Sequence, residues 1–390
     1  MKTLHDRLKT TLGSGVDAID TPALVVDLDA MQRNLNRMAE FARKHGVRWR
    51  PHAKMHKSSV LARLQVQAGA CGVCVQKTAE AEALAAGGVQ DIYISNEVIA
   101  PAKLARVAAL AHQLAAVGGQ LAIAVDSEEG VRRLAEAMNA QRAAGAAAAV
   151  IDVFVEIDVG QGRCGVPPGT PAVALVHAIR RHAALRFAGL QAYHGRAQHL
   201  RGARERRDAV AAVVRAVQAS CAAIEAEGVT VPLVTGAGTG TLVCEAASGV
   251  FGELQPGSFL FMDVDYARNE RDAAQPAFEH ALFVRTQVIS VSADHAVCDA
   301  GHKSHAIDSG LPLVHAVGGE PASLEFANGG DEHGLLRGAR LPALGDCLWL
   351  VPGHCDPTVN LHDHLIGVAG GLAKGRIQRI IRVDARGALG

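Results

Sequence analysis

From residue 23 to residue 238 the chain alternates between short β-branched or apolar runs and longer stretches patterned for helices, and this constrains the fold more than any other feature. The runs are ALVVDLD (23–29), VRWRP (47–51), GVCVQ (72–76), DIYIS (91–95), LAIAVD (121–126), IDVFVEIDVG (151–160), FAGLQAYHG (187–195) and PLVTGAG (232–238). Between them lie stretches such as AMQRNLNRMAEFARKHG (30–46) and EEGVRRLAEAMNAQRAAG (128–145). There Ala, Leu and Met recur at three- and four-residue intervals and a Gly supplies the stop. Strands and helices in that order imply repeated right-handed βαβ units. Eight strands fit a closed (β/α)8 barrel of the TIM type better than an open doubly wound sheet. GAAAA (145–149) reads as a helix terminus.

After about residue 275 the period becomes two, in ALFVRTQVISVSADHAVCDAG (281–301), CLWLVPGHCDP (347–357) and GRIQRIIRVDARG (375–387). The expectation is an α/β barrel over 22–272 and a smaller C-terminal β-domain over 273–390, with residues 1–21 packed on the latter. Lys plus Arg equals Asp plus Glu, at 39 each, so no global field points to nucleic acid or an anionic membrane. MKTLHDRLKTTLGSG at the start has no apolar core of a signal peptide, and no apolar run reaches the length of a membrane span. The eight cysteines are scattered, as reduced thiols of a cytoplasmic enzyme would be. CGVC (71–74) mimics a redox pair, but it sits in a strand-like run rather than at a helix N-terminus.

In a (β/α)8 barrel the chemistry sits where strands end. Those ends carry Lys54 in RPHAKMHK (50–57), Gln76, Ser95 and Asn96, Arg163 in GQGRCG, Tyr193, His194 and His199 in YHGRAQH, and the loop TGAGTGT (235–241). The three glycines of that loop allow successive N–H groups to converge on one anion. No Gly-Lys-Ser/Thr follows, and no dinucleotide fingerprint, so a monophosphate fits better than a nucleotide. A phosphate cradle with a rim lysine suggests pyridoxal 5'-phosphate (PLP), with Lys54 kept reactive by His52, His56 and Lys57. In PGHCDPTVNLHD (352–363), His354 and Asp356 would leave an extended segment on the same face, with Cys355 turned away. One imidazole and one carboxylate without thiolate make half a site for Mn²⁺, Mg²⁺ or a similar ion. NGGDEHG (328–334) adds Asp331 and His333.

RPHAKMHK, DVGQGRCGV, GLQAYHG, TGAGTGT, ELQPGSFLFMDVDY, DEHG and PGHCDPTVNLHD together resemble the metal-activated D-threonine aldolases, fold-type III PLP enzymes related to alanine racemases and D-serine dehydratases. The resemblance runs from about residue 20 to the C-terminus. It implies that Lys54 binds PLP covalently, that Arg163 bonds its phenolic oxygen, and that Tyr193 approaches its pyridine nitrogen. By the same resemblance Gly236, Gly238, Thr239 and Gly240 hold the phosphate, and Gln76 lines the pocket. His354 and Asp356 would bind the metal, Mn²⁺ first, with Asp331 supporting it through water. His199 would be the acid–base group near the β-hydroxyl. The implied reaction cleaves a D-3-hydroxy amino acid, D-threonine or D-3-hydroxyaspartate, into glycine and an aldehyde. HAIDSGLPLV (305–314) points toward the 3-hydroxyaspartate branch. The alternative on the same scaffold is a dehydratase yielding an oxo acid and ammonia, whose members resemble this chain but carry Cys at the position of Asp356. The implied partners are a small-molecule substrate and a second copy in a homodimer. Arg196, in the YHGRAQH loop, either faces solvent, the first reading, or meets a second substrate carboxylate, a role for which His302 and Lys303 are rival candidates.

Overall fold

The computed structural model describes residues 3–145 and 149–390; Met1, Lys2 and Ala146–Ala148, within the helix terminus expected at 145–149, lie outside the described residues. The first strand, β1 (Ala23–Asp27), is followed by β2 (Arg48–Trp49), β3 (Val73–Val75), β4 (Asp91–Ile94), β5 (Gln120–Val125), β6 (Ile151–Glu156), β7 (Leu185–Ala192), β8 (Val234–Gly236) and β9 (Glu253–Leu254). Strands β2 to β9 form an eight-stranded parallel sheet in the order β2-β9-β8-β7-β6-β5-β4-β3. It curls shut where His52 bridges Cys74 and the Cys74 N–H donates to the Pro51 carbonyl at 2.9 Å.

One strand departs from expectation. The run 23–29 does not open the barrel: β1 pairs antiparallel with β10 (Leu282–Val291) and parallel with strand His364–Ala369, in the second sheet. The barrel's eighth place is taken by β9, two residues hydrogen-bonded between β8 and β2. The core of β1, Leu24 to Val26, is buried on both faces. Such a run suits the middle of either sheet, and nothing within it names the partner.

Helices surround the barrel as their patterns require. Leu28–His45 starts where the Asp27 carboxylate accepts the N–H groups of Asp29 and Ala30, and ends at Gly46 with φ +63°. Its last turn carries Arg43, Lys44 and His45, favourable at the negative end of a helix dipole. Met31, Leu35 and Met38 form its buried face, each worth roughly 1.5–3 kcal/mol of burial. Inside the barrel Cys74, Tyr93, Ala124 and Phe154 fill the space, the two rings 4.8 Å apart. Burial pushes the Cys74 thiol well up and that of Cys71 to about 11, which removes the thiolate a redox pair needs.

In the second sheet β10 also pairs antiparallel with strand Cys347–Val351, while His364–Ala369 pairs with Arg376–Arg382. The N-terminal segment lies against it: the Gly13 N–H donates to the Ile377 carbonyl at 2.8 Å, and Arg285 bonds the carbonyls of Val16 and Ile19, each at 2.6 Å. Against expectation, one helix among the described residues, Ala203–Ala226, is long and apolar enough to cross a membrane by length and composition. Its Val210, Val213, Val217 and Ile224 are buried within the protein.

Candidate functional site

Lys54 sits on a single 3₁₀ turn, Ala53–Met55, directly after β2. The turn exists because His52 caps it, its Nδ1 accepting the Lys54 N–H at 3.4 Å. The other face of His52 is held by Gln76 and Ser95, both 3.2 Å from Nε2. The ring is therefore fixed, and Lys54 projects into a cavity of about 510 Å³.

The cavity is where most expected site residues meet. Lys54, Gln76, Arg163, Tyr193, His199, Gly238, Thr239, His354 and Asp356 all line it. Arg163 lies 5.7 Å over the Tyr193 ring and reaches Glu156 at 3.7 Å. Burial raises the Tyr193 phenol. His199 Nδ1 stands 2.6 Å from Asp265 Oδ2, and its ring lies 5.6 Å from that of Tyr266, another lining residue. An acceptor on Nδ1 fixes the proton there and leaves Nε2 as the basic nitrogen.

The cradle is narrower than the sequence suggested. Gly238 and Thr239 line the cavity together with Gly257 and Ser258, whereas Gly236 and Gly240 do not. Gly236 is inside β8, where a Cβ would lie 2.2 Å from the Ala192 carbonyl oxygen. The Gly240 N–H is spent on Gln198 Oε1 at 3.0 Å, and a Cβ on Gly238 would lie 2.5 Å from the same amide oxygen. Both glycines flanking Thr239 thus serve the close approach of Gln198, while the Thr239 hydroxyl accepts the Phe259 N–H at 3.0 Å.

The electrostatics around Lys54 also differ from expectation. Its neighbours are not a cationic cluster. Burial holds His56 down to about 4 and His52 well below its usual value, so both are neutral. Lys57 turns away to Glu80 at 3.1 Å and the Ala385 carbonyl at 3.2 Å. The dominant influence is Asp356, 2.9 Å from Nζ, which raises the Lys54 amine rather than lowering it. Burial pushes the Asp356 carboxyl up, but Lys54 and then His354 outweigh this and leave it below the ordinary carboxylate value.

His354 and Asp356 do not lie on an extended segment. His354 caps a short helix, Cys355–Val359, because Pro357 in the first turn favours helix and the Cys355 N–H finds Asp263 at 3.0 Å. The two side chains nevertheless converge, His354 Nε2 lying 3.9 Å from Asp356 Oδ1. That oxygen is buried without a hydrogen-bond partner. His354 Nδ1 is held by Asp308 at 2.7 Å, the outer carboxylate that orients an imidazole toward a metal. Cys355 is buried and donates to the Met262 carbonyl instead. An orphaned carboxylate oxygen facing an oriented imidazole fits a divalent ion.

Asp331 is not brought to this cavity; from its loop it pairs with His302 at 3.0 Å and Lys303 at 3.4 Å in the neighbouring loop after strand Ala296–Cys298. A different set, Glu97, Asp126 and Cys164, places three ligand-type atoms within 4.8 Å of one another. Beside it burial, then the Glu97 charge, pushes the Glu156 carboxyl up to about 8. Sequence reasoning missed Asp265, Asp308, Gly257 and Ser258, although ELQPGSFLFMDVDY and HAIDSGLPLV contain them.

Residues 26–265 match the family model of the alanine racemase N-terminal domain, and residues 281–368 that of the putative serine dehydratase domain. A parallel barrel followed by an antiparallel sheet, with a rim lysine, defines the class: an enzyme on the alanine racemase fold, whose members use PLP. The chain is 43% identical over 379 residues to the D-threonine aldolase of an Arthrobacter species, covering 96% of this chain and 95% of that one. It is 39% identical over 382 residues to the 3-hydroxy-D-aspartate aldolase of Paracoccus denitrificans strain Pd 1222, covering 96% and 94%. The crystal structure of D-threonine aldolase from Filomicrobium marinum superposes with a TM-score of 0.90 at 44% identity, covering 97% and 99%. The chain belongs to the family of D-threonine and 3-hydroxy-D-aspartate aldolases.

Proposed function

We propose that this chain is a PLP- and divalent-metal-dependent aldehyde-lyase that cleaves D-3-hydroxy amino acids into glycine and an aldehyde. The observation that carries this is the oriented His354–Asp356 pair, with its unpartnered Oδ1, directly beside the rim lysine. PLP on Lys54, Arg163, Tyr193 and the Gly238–Thr239 loop would supply an electron sink for the bond broken at Cα, and a divalent ion at His354 and Asp356 a Lewis acid for the β-hydroxyl. Mn²⁺ suits the N/O donor set, and Mg²⁺ is the nearest substitute. His199 Nε2 takes the β-hydroxyl proton, because Asp265 stabilises the imidazolium that results. His52, pinned by Gln76 and Ser95, keeps the turn of Lys54 from shifting.

We place the enzyme in the cytoplasm as a homodimer. Its eight free cysteines support the first. Exposed Ile307, Leu311 and Leu313, around the Asp308 that orients His354, support the second. A product assay tests the function. Protein with PLP and Mn²⁺ is given D-threonine and D-3-hydroxyaspartate, with and without a chelator. Glycine plus aldehyde, lost on chelation, is expected; ammonia plus an oxo acid would establish a dehydratase instead.

A further inference from the structure

The cations that line the cavity are not equivalently engaged. Lys54 faces Asp356 at 2.9 Å, and Arg163 faces Glu156 at 3.7 Å. Arg196 also lines the cavity and, among the described residues, has neither an ion pair nor a hydrogen bond. His302 and Lys303, the other candidates for an anionic group, are paired with Asp331 and Glu332 and do not line it.

The guanidinium stands on a fixed base. Arg196 opens the 3₁₀ turn Arg196–His199, whose Ala197 and Gln198 are buried. The Gly195 N–H donates to Gln161 Oε1 at 2.6 Å, and the Ala197 N–H to His194 Nδ1 at 3.3 Å. The same turn carries His199, the base assigned to the β-hydroxyl. Residues three apart on a 3₁₀ turn share a face, so the exposed Arg196 stands beside His199 at the rim of the cavity, within reach of a substituent on the carbon whose hydroxyl His199 serves. A guanidinium binds a carboxylate there with two parallel hydrogen bonds and offers nothing to a methyl group.

We propose that Arg196 is the specificity-determining residue that binds a carboxylate on Cβ, making the preferred substrate class the β-carboxylated D-3-hydroxy amino acids. This rests on the aldolase assignment for the position of the β-hydroxyl. In the holoenzyme, R196A lowers kcat/KM for D-3-hydroxyaspartate about 30-fold, which is about 2 kcal/mol. D-Threonine cleavage changes less than about threefold and PLP affinity is unchanged, as expected for a lost charge-assisted contact made only by the carboxylate. R196K restores part of the loss. Equal losses on both substrates, a weakened PLP affinity, or no change would overturn the assignment. A second arm needs no cleavage: D-aspartate and D-2-aminobutyrate, which lack the β-hydroxyl, are titrated by the change in PLP absorbance. Wild type prefers D-aspartate and R196A loses that preference if Arg196 binds the carboxylate; an unchanged preference overturns the proposal even where no substrate is cleaved.

Discussion

The cavity has two walls, and their polar groups are finished to different degrees. On the barrel wall His52 is held by Gln76 and Ser95, Gln191 by Tyr93 and Glu156, and Gln198 by Gly240 and Thr241. On the wall from the β-domain, His354 is oriented by Asp308, but Asp356 keeps a buried oxygen with no partner. A satisfied network rigidifies, whereas an unsatisfied buried oxygen costs stability until something binds it. Around His52, Gln191 and Gln198 the barrel wall is therefore built to hold its shape alone, and the β-domain wall to be completed by a ligand. Substitutions on the first should cost the fold as well as the activity, and on the second the activity alone.

Lys54 belongs to both walls, through its turn and through Asp356, and its loss has the largest effect. K54A is expected to lower activity by more than about 10⁴-fold, the scale on which a covalent catalytic group acts. The PLP absorbance of the lysine-bound form disappears with it. Retained absorbance in K54A would mean that another amine holds the cofactor.

H354A sharpens the contrast. Activity should fall by about 10³-fold, the several kcal/mol that a Lewis acid supplies, and chelation of the wild type should match it. Unfolding stability without metal should move by less than about 1 kcal/mol, because no closed network is broken. A large stability loss would erase the distinction between the walls.

Q198A tests the other side. The change strips partners from the Gly240 N–H and the Thr241 hydroxyl and leaves a void in a fully buried position. About 3 kcal/mol of stability should be lost, the sum of an unsatisfied donor and a small cavity. PLP should bind about tenfold more weakly as the loop at Gly238 relaxes, on the order of 1.4 kcal/mol. Urea unfolding and PLP titration measure the two; an unaffected stability with weakened PLP binding would show that the network serves the ligand rather than the fold.

Much of the barrel wall was legible because its chemistry is local. Lys54 follows its strand by a few residues, and the glycines of TGAGTGT announce a close approach before its partner is known. What stayed hidden is what pairs across distance. Asp265 reaches His199 from 66 residues away and Asp308 reaches His354 from 46, separations at which no spacing rule operates. Strand β9 is two residues long, too short for any period to register. Cationic tuning of Lys54 failed for a related reason: sequence neighbours supplied the histidines, but the fold buried them neutral and brought in a carboxylate from residue 356.

The smallest effect is a pH dependence at the back of the barrel wall. Glu245 is buried, accepts the Thr241 hydroxyl at 2.7 Å, and leaves its other oxygen without a partner. Burial raises its carboxyl from 4.5 to about 7. The folded protein then holds a proton that the unfolded chain releases, so this group's contribution is fully present below about pH 4.5 and is lost as pH rises toward 7. Between pH 5 and 6.5 the loss is on the order of 2 kcal/mol, at 1.36 kcal/mol per unit. E245Q has nothing to ionise, so its stability relative to wild type should grow by that amount over the same interval. Parallel stability curves for the two proteins across pH 5 to 6.5 would mean that Glu245 titrates alike folded and unfolded. The wall behind the Gly238 loop would then be more open to water than its burial implies.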